Sequence, residues 1–365
     1  MVLRSMEMGG SQRQALHLAK FLKNEENYNV RIMAFFDGGP VKDMIIKSRI
    51  PLDICSPGLG KNKIVRIIKL IRLILKIRAF KPHVIIPYND FPNKVCGAIW
   101  AFTGAKSCVW NQRDEGREIT GGSFERLAIK RTPVFVSNSE EGEKFLIEKF
   151  KINPGIIRII HNGVKLDAAK LSNREWRYKL KIDENSFAAV MVANLTAYKD
   201  HKTLLKAWKI FVESISPRNS PILFLAGKNY ETYQDLQDYV NANNMADYVR
   251  FLGFVDDIPG LLHACDLGVF SSKLEGCPNG VLECMAAGLP VVATDITGTR
   301  EALGAEYPFL VPADDPAKFA EQVLRFFESR DLRVRYGNQN RERVMTYFSL
   351  ERMSNDYVML IKEII

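Results

Sequence analysis

Glu275-Gly276-Cys277-Pro278-Asn279-Gly280-Val281-Leu282-Glu283, continuing as Cys284-Met285-Ala286-Ala287-Gly288-Leu289-Pro290 into Val291-Val292-Ala293-Thr294-Asp295, reads as loop, helix, turn and strand. Pro278-Asn279-Gly280 is turn chemistry, Val281 to Ala287 suits a helix, and Gly288-Leu289-Pro290 stops it before a short apolar run. A helix that starts just after Asn279 presents unpaired N–H groups and the positive end of its dipole, a ready site for phosphate. Glu275 and Glu283 flank that start. Carboxylates there can accept hydrogen bonds from hydroxyls on either side of a bound phosphate, which suits a nucleotide sugar. Taken alone, the same two glutamates also fit a surface loop residue and an acid placed favourably near a helix N-terminus.

The pattern Glu-x7-Glu enclosing Gly-x-Pro-Asn, then Ala-Ala-Gly-Leu-Pro-Val-Val-Ala-Thr-Asp and Gly298-Thr299-Arg300-Glu301, resembles the donor-site signature of retaining family-4 glycosyltransferases. That resemblance implies an α/β chain of the GT-B fold, two Rossmann-like domains facing a cleft, with a C-terminal helix crossing back to the first domain. It implies an acceptor-side domain over residues 1–165, a nucleotide-sugar domain over 166–345 and a terminal helix over 346–365.

The whole chain allows this. Its 365 residues are 47% hydrophobic and 25% charged, enough for two domains with separate cores. The net charge of +9 is unevenly placed: residues 1–165 hold 28 Lys and Arg against 15 Asp and Glu, the remainder 23 against 27. The halves are therefore +13 and −4, and the first half is matched to an anionic surface or substrate. No nucleic-acid-binding motif accompanies that charge. The cysteines Cys55, Cys96, Cys108, Cys265, Cys277 and Cys284 lack Cys-x-x-Cys spacing, which argues against a disulfide framework and against zinc and points to a reducing cytosol. The start Met1-Val2-Leu3-Arg4-Ser5 has no signal-peptide core, and no run of about 18 apolar residues spans a bilayer.

Along the first half, Val2 to Ser5 reads as a strand end, short for a full first strand. Gly9-Gly10 feeds a helix whose Ala15, Leu18, Ala19 and Leu22 have helical spacing. Val30 to Phe36 and Val84 to Pro87 are further strands of a doubly wound sheet. Between them, across Lys61 to Lys81, Lys63, Arg66, Lys69, Arg72 and Lys76 recur every three or four residues, opposite Ile64, Ile67, Ile68, Ile71 and Leu75. An exposed crossover helix with its apolar face on the sheet accounts for this, and the cations also fit anionic lipid. Trp110 to Gly116 is dense in groups for an acceptor or phosphate. Where the resembled family often has a histidine, this stretch offers Arg113 or Asp114, or a solvated loop. Val134 to Ser139 resembles the last strand of the family's first domain and His161-Asn162-Gly163-Val164 its link.

In the second half, Ala188 to Ala193, Ile222 to Gly227, Val249 to Asp256 and Asp266 to Ser271 continue the alternation. The resemblance places Lys199 at the donor diphosphate, where the leaving group gains charge. Asn194 stands where the family has an arginine. It further implies Glu275 on sugar hydroxyls, Glu283 on ribose, Gly9 and Gly10 near the phosphates, Lys228, Cys277, Asn279 and Gly280 around the donor, and Phe254 and Val255 about the base. No metal and no cofactor are expected, only a UDP-sugar or GDP-sugar as substrate. The expected function is hexosyl transfer to a glycan or lipid-linked acceptor at the cytoplasmic face of a membrane. Its rivals are a weakly catalytic donor- or lipid-binding subunit and a sugar-nucleotide epimerase.

Overall fold

The computed structural model describes residues 1–58, 62–117, 119–216 and 220–365. The chain divides into two compact units, Met1–Gly163 with Leu350–Ile365, and Val164–Ser349.

Unit 1 is built on parallel strands β1 (Val2–Leu3), β2 (Ile32–Ala34), β3 (Leu52–Ile54), β4 (Val84–Ile85), β5 (Ser107–Gln112), β6 (Val134–Ser137) and β7 (Ile157–Ile159). β1 pairs β2 on one side, and Val2 exchanges backbone hydrogen bonds with Ile86 and Tyr88 beyond β4 on the other. The strands thus run 3-2-1-4-5-6-7, a doubly wound order. Strand residues alternate between two cores: Leu3, Ile32, Ala34, Val109 and Val136 on one face, Val2, Met33, Cys108, Trp110 and Phe135 on the other. Helix α1 (Gly10–Asn24) buries Ala15, Leu18, Ala19 and Leu22 as its spacing requires. The terminal helix Leu350–Ile364 adds Met353, Tyr357, Val358 and Ile361 to the same core.

Three expectations change here. β6 is followed by β7, so Val134 to Ser139 does not close the sheet. Trp110, Asn111 and Gln112 are buried strand residues, and only Arg113 onward forms the loop. The third concerns helix α2 (Lys63–Ala79), capped by the Asn62 side chain. It buries Leu73 and Ile77 and partly buries Leu70 and Ile74, while Ile64, Ile67, Ile68, Ile71 and Leu75 remain exposed, Ile64 to 69% and Leu75 to 60%. The apolar arc of this helix is wider than the face that its contact with unit 1 covers. Of its cations, Lys76 is taken up by Asp53 at 3.0 Å, Lys61 lies outside the described residues, and so does the Lys63 side chain.

Unit 2 holds one six-stranded parallel sheet: β8 (Ala188–Val192), β9 (Ile222–Ala226), β10 (Val249–Gly253), β11 (Leu267–Phe270), β12 (Val291–Thr294) and β13 (Leu310–Val311). The order is β10-β9-β8-β11-β12-β13. Numbered within the unit this is again 3-2-1-4-5-6. Strands covered on both faces read as continuous apolar runs, and β8, β9, β11 and β12 are buried almost throughout. Trp208, Phe211, Phe224, Phe309 and Phe326 fill the core.

Candidate functional site

In an open sheet of this order, ligands bind beyond the carboxyl ends of the strands where the winding reverses. In unit 2 that point lies between β8 and β11, which pair directly through Ala189 and Val190 against Leu267 and Gly268. The loop that leaves β8 carries Asn194 and Lys199, and the loop that leaves β11 carries Glu275. Residues 76 positions apart therefore meet: Lys199 Nζ forms an ion pair with Glu275 Oε1. The same oxygen accepts a hydrogen bond of 2.7 Å from Ser272 Oγ. Both contacts fall on Oε1, which leaves Oε2 to accept from another donor.

The polar frame around this pair went unnoticed in the sequence. Ser271 Oγ donates to the Asp200 carbonyl at 2.8 Å and to the Lys199 carbonyl at 3.2 Å, tying the two loops together. Thr294, at the end of β12, donates to the Ser272 carbonyl. Asp200 takes a left-handed φ of 48° and caps helix α4 (His201–Ser214) through Thr203 N–H. Lys273 bridges Asp200 at 3.5 Å and Asp314 at 2.7 Å. His201 is fully enclosed, and burial first, then the neighbouring Lys199 cation, drives its pKa down to about 3. The signal for part of this frame was present, since the hydroxyl pair Ser271-Ser272 directly follows an apolar strand.

Helix α5 spans Asn279–Ala286, with Pro278 at its N-cap. It starts at Asn279, not after it, and as a full two-turn helix it offers first-turn N–H groups that have no acceptors inside it. Gly280 sits where a Cβ would overlap the Val192 carbonyl at the end of β8 and lie 2.8 Å from the Phe270 ring. Any larger residue would push the start of the helix away from the switch point. Gly298 plays a similar part, since a Cβ there would overlap the Gly276 carbonyl behind the Glu275 loop. The Gly spacing is thus a packing requirement of the loop.

The remaining expected residues separate into groups. Glu283 is buried on α5, and Cys277 packs its thiol into the unit 2 core. Asn194 accepts the Lys228 N–H on Oδ1 at 3.0 Å, so its amide latches the β8 and β9 loops together where an arginine is the family pattern. Lys228 in turn accepts the Leu195 N–H on its carbonyl. Phe254 is exposed and Val255 half-buried just past β10, where Gly253 turns with φ of 63°. Gly9 and Gly10 belong to unit 1, at the N-terminus of α1, beyond β1 and its own switch point. Also in unit 1, Arg113 lies over the Tyr88 ring and donates to Asn111 and Asn162, and Asn111 accepts from Tyr357 on the terminal helix at 3.0 Å. Asp114 is engaged elsewhere, accepting the Gly116 N–H at 2.8 Å.

Residues 8–168 match the family model described as Glycosyltransferase Family 4, and residues 172–343 the model described as Glycosyl transferases group 1. The UDP-Gal:alpha-D-GlcNAc-diphosphoundecaprenol alpha-1,3-galactosyltransferase of Escherichia coli is 24% identical over 90% of this chain and 87% of its own. An uncharacterized glycosyltransferase of Methanocaldococcus jannaschii is 26% identical over 81% of this chain and 84% of its own. Among solved structures, Anabaena HepE in complex with UDP-glucose superimposes with a TM-score of 0.83 at 18% identity, over 99% of each chain. Two successive family matches that take in nearly the whole chain, and a doubly wound order in each unit, make this protein a family-4 glycosyltransferase of the GT-B fold.

Proposed function

We propose that this protein transfers a hexosyl group from a nucleotide sugar to a glycan or lipid-linked acceptor, with retention of anomeric configuration and without a metal ion, in cell-surface polysaccharide or glycolipid assembly. The observation that carries the reading is the Lys199–Glu275 pair at the unit 2 switch point, four residues before the N-terminus of α5. An ammonium and a helix N-terminus stabilise the negative charge that gathers on a leaving diphosphate, which a divalent ion would otherwise do. Glu275 Oε2 would accept from sugar hydroxyls, and Glu283 from ribose. Asn279 and Gly280 would offer backbone N–H groups to the phosphates, with Lys228, Cys277, Gly9 and Gly10 near by and Phe254 and Val255 beside the base. The Escherichia coli relative acts on a diphosphoundecaprenol-linked sugar and HepE binds UDP-glucose, which supports a UDP-sugar donor and a lipid-borne acceptor here. Arg66, Lys69 and Arg72, in the +13 half of the chain, would then face an anionic membrane at the cytoplasmic side. Among the described residues no helix is long and apolar enough to cross one.

The test is thermal-shift screening with UDP-, GDP- and ADP-sugars, followed by determination of the anomeric configuration of the product. One donor class should raise the melting temperature in proportion to occupancy, and the product should keep the donor's configuration. An inverted product overturns the retaining assignment. Asn194 favours a second reading, a donor- or lipid-binding subunit of a partner enzyme, because a neutral amide, whose oxygen accepts the Lys228 N–H, stands where the family pattern has an arginine. Donor binding without turnover would favour that reading.

A further inference from the structure

Helix α2 carries three stripes. Leu70, Leu73, Ile74 and Ile77 face the core of unit 1. Beside them Ile64, Ile67, Ile68, Ile71 and Leu75, at helical spacings of three and four, form a ridge of aliphatic side chains, each at least half exposed. Beyond the ridge, Lys69, Arg72 and Lys76 form the third stripe, of which Lys76 is held by Asp53 and Lys69 and Arg72 are exposed. The Trp100–Phe102 turn packs against α2 and extends the apolar surface. Its Phe102 is 55% exposed beneath the Arg131 guanidinium, and its Trp100 indole donates to the Arg131 carbonyl at 2.8 Å. Arg131 ends helix α3 (Ser123–Arg131).

We propose that this ridge inserts into the acyl boundary of a lipid bilayer, so that α2 lies in the interface as a monotopic anchor of unit 1. The proposal deepens the membrane-docking part of the proposed function, which rests on charge alone. Two features point to lipid over a second copy of the chain. From Lys63 to Ala79 there are six basic residues and no acid, so two such helices would repel one another while anionic headgroups complement both. The ridge is also purely aliphatic, with no directional donor or acceptor to specify a shaped protein groove, and the exposed Lys69 and Arg72 stand beside it, where long cationic side chains snorkel to phosphates. At about 1.5 Å per residue the helix is roughly 25 Å long, enough for five aliphatic side chains to enter together.

Insertion and charge attraction predict different salt behaviour. The full-length protein should float with vesicles of phosphatidylcholine and phosphatidylglycerol. A substantial part should stay bound at about 1 M salt, where the Debye length is about 3 Å, and on pure phosphatidylcholine. Ile67→Gln/Ile71→Gln should reduce flotation about tenfold or more under every condition. Lys69→Gln/Arg72→Gln should reduce it only at low salt on anionic vesicles. Both pairs lie off the buried stripe, so an unchanged melting temperature confirms that the fold is intact. Complete release of the parent by salt, or equal flotation of the isoleucine variant, overturns insertion. A parent dimer in lipid-free solution that the isoleucine variant dissociates would assign the ridge to a second copy and also overturn it. Sugar transfer to a soluble acceptor, measured in parallel, tests the proposed reaction independently.

Discussion

Lys199→Ala removes the cation from a pair whose side chains are 17% and 8% exposed, leaving the Glu275 carboxylate with Ser272 as its remaining contact on Oε1. Breaking a buried pair from one side costs about 3 kcal/mol, because the other charge stays desolvated. Removing a donor aimed at developing charge costs a further 10²- to 10³-fold in turnover, equivalent to about 3 to 4 kcal/mol of barrier. The two losses separate in the double variant Lys199→Ala/Glu275→Gln. A neutral amide keeps an acceptor for Ser272 without a buried charge, so stability should recover by about 2 kcal/mol while turnover stays low. The assay is nucleotide release under saturating acceptor, giving kcat and donor KM, together with urea unfolding of each variant. A kcat for Lys199→Ala within about twofold of the parent would refute the argument, since the charge would then do nothing in the transition state. Turnover that returns along with stability would refute it too, because the first loss would have been structural.

Glu283→Ala should weaken nucleotide binding by about 1.5 to 3 kcal/mol, read by titration calorimetry, the loss of hydrogen bonds to a charged acceptor. An unchanged dissociation constant would remove Glu283 from the site. His201 gives a pH signature: its folded pKa of about 3 lies below the ordinary 6.5, so as pH falls below about 6.5 the unfolded chain takes up a proton that the folded one refuses. Stability should fall by about 1.4 kcal/mol per pH unit from that group, and near pH 5 the parent should have lost about 2 kcal/mol more than His201→Gln. Equal losses in urea titrations would show that the imidazole is not held neutral. Gly298→Ala should destabilise by about 2 kcal/mol or more and lower donor affinity, because its Cβ meets the backbone of the Glu275 loop, which cannot rotate away as a side chain can. A melting temperature equal to the parent's would show that the loop yields freely.

Much of the fold was legible because its signals are local. Alternating apolar runs and helical spacings placed α1, β8, β9, β11 and α5 within a residue or two, and Pro278 and Gly288 punctuated α5 where turn chemistry demands. The roles expected of Lys199, Glu275 and Glu283 came from resemblance, and their proximity was not readable from spacing. Helix α2 shows the opposite failure. Its periodicity gathers the apolar residues on one wide arc, yet periodicity reports only which residues share a face, and the core of unit 1 covers only part of that arc. Asn194 looked like a missing cation and is a latch to Lys228.

The sequence by itself determined the type and order of most strands of unit 2, of helices α1, α2 and α5, and the turn at Gly288 that ends α5, since dihedral preference and side-chain period act over a few residues. Tertiary structure alone decided that the β8 and β11 loops meet, because β8 and β11 become neighbours only when the order of winding reverses between them. The same holds for Ser272 on Glu275, for the desolvation of His201, and for the outward face of Ile64, Ile67, Ile68, Ile71 and Leu75. Each depends on which surfaces are left to cover which, a sum over the whole unit that no local window contains.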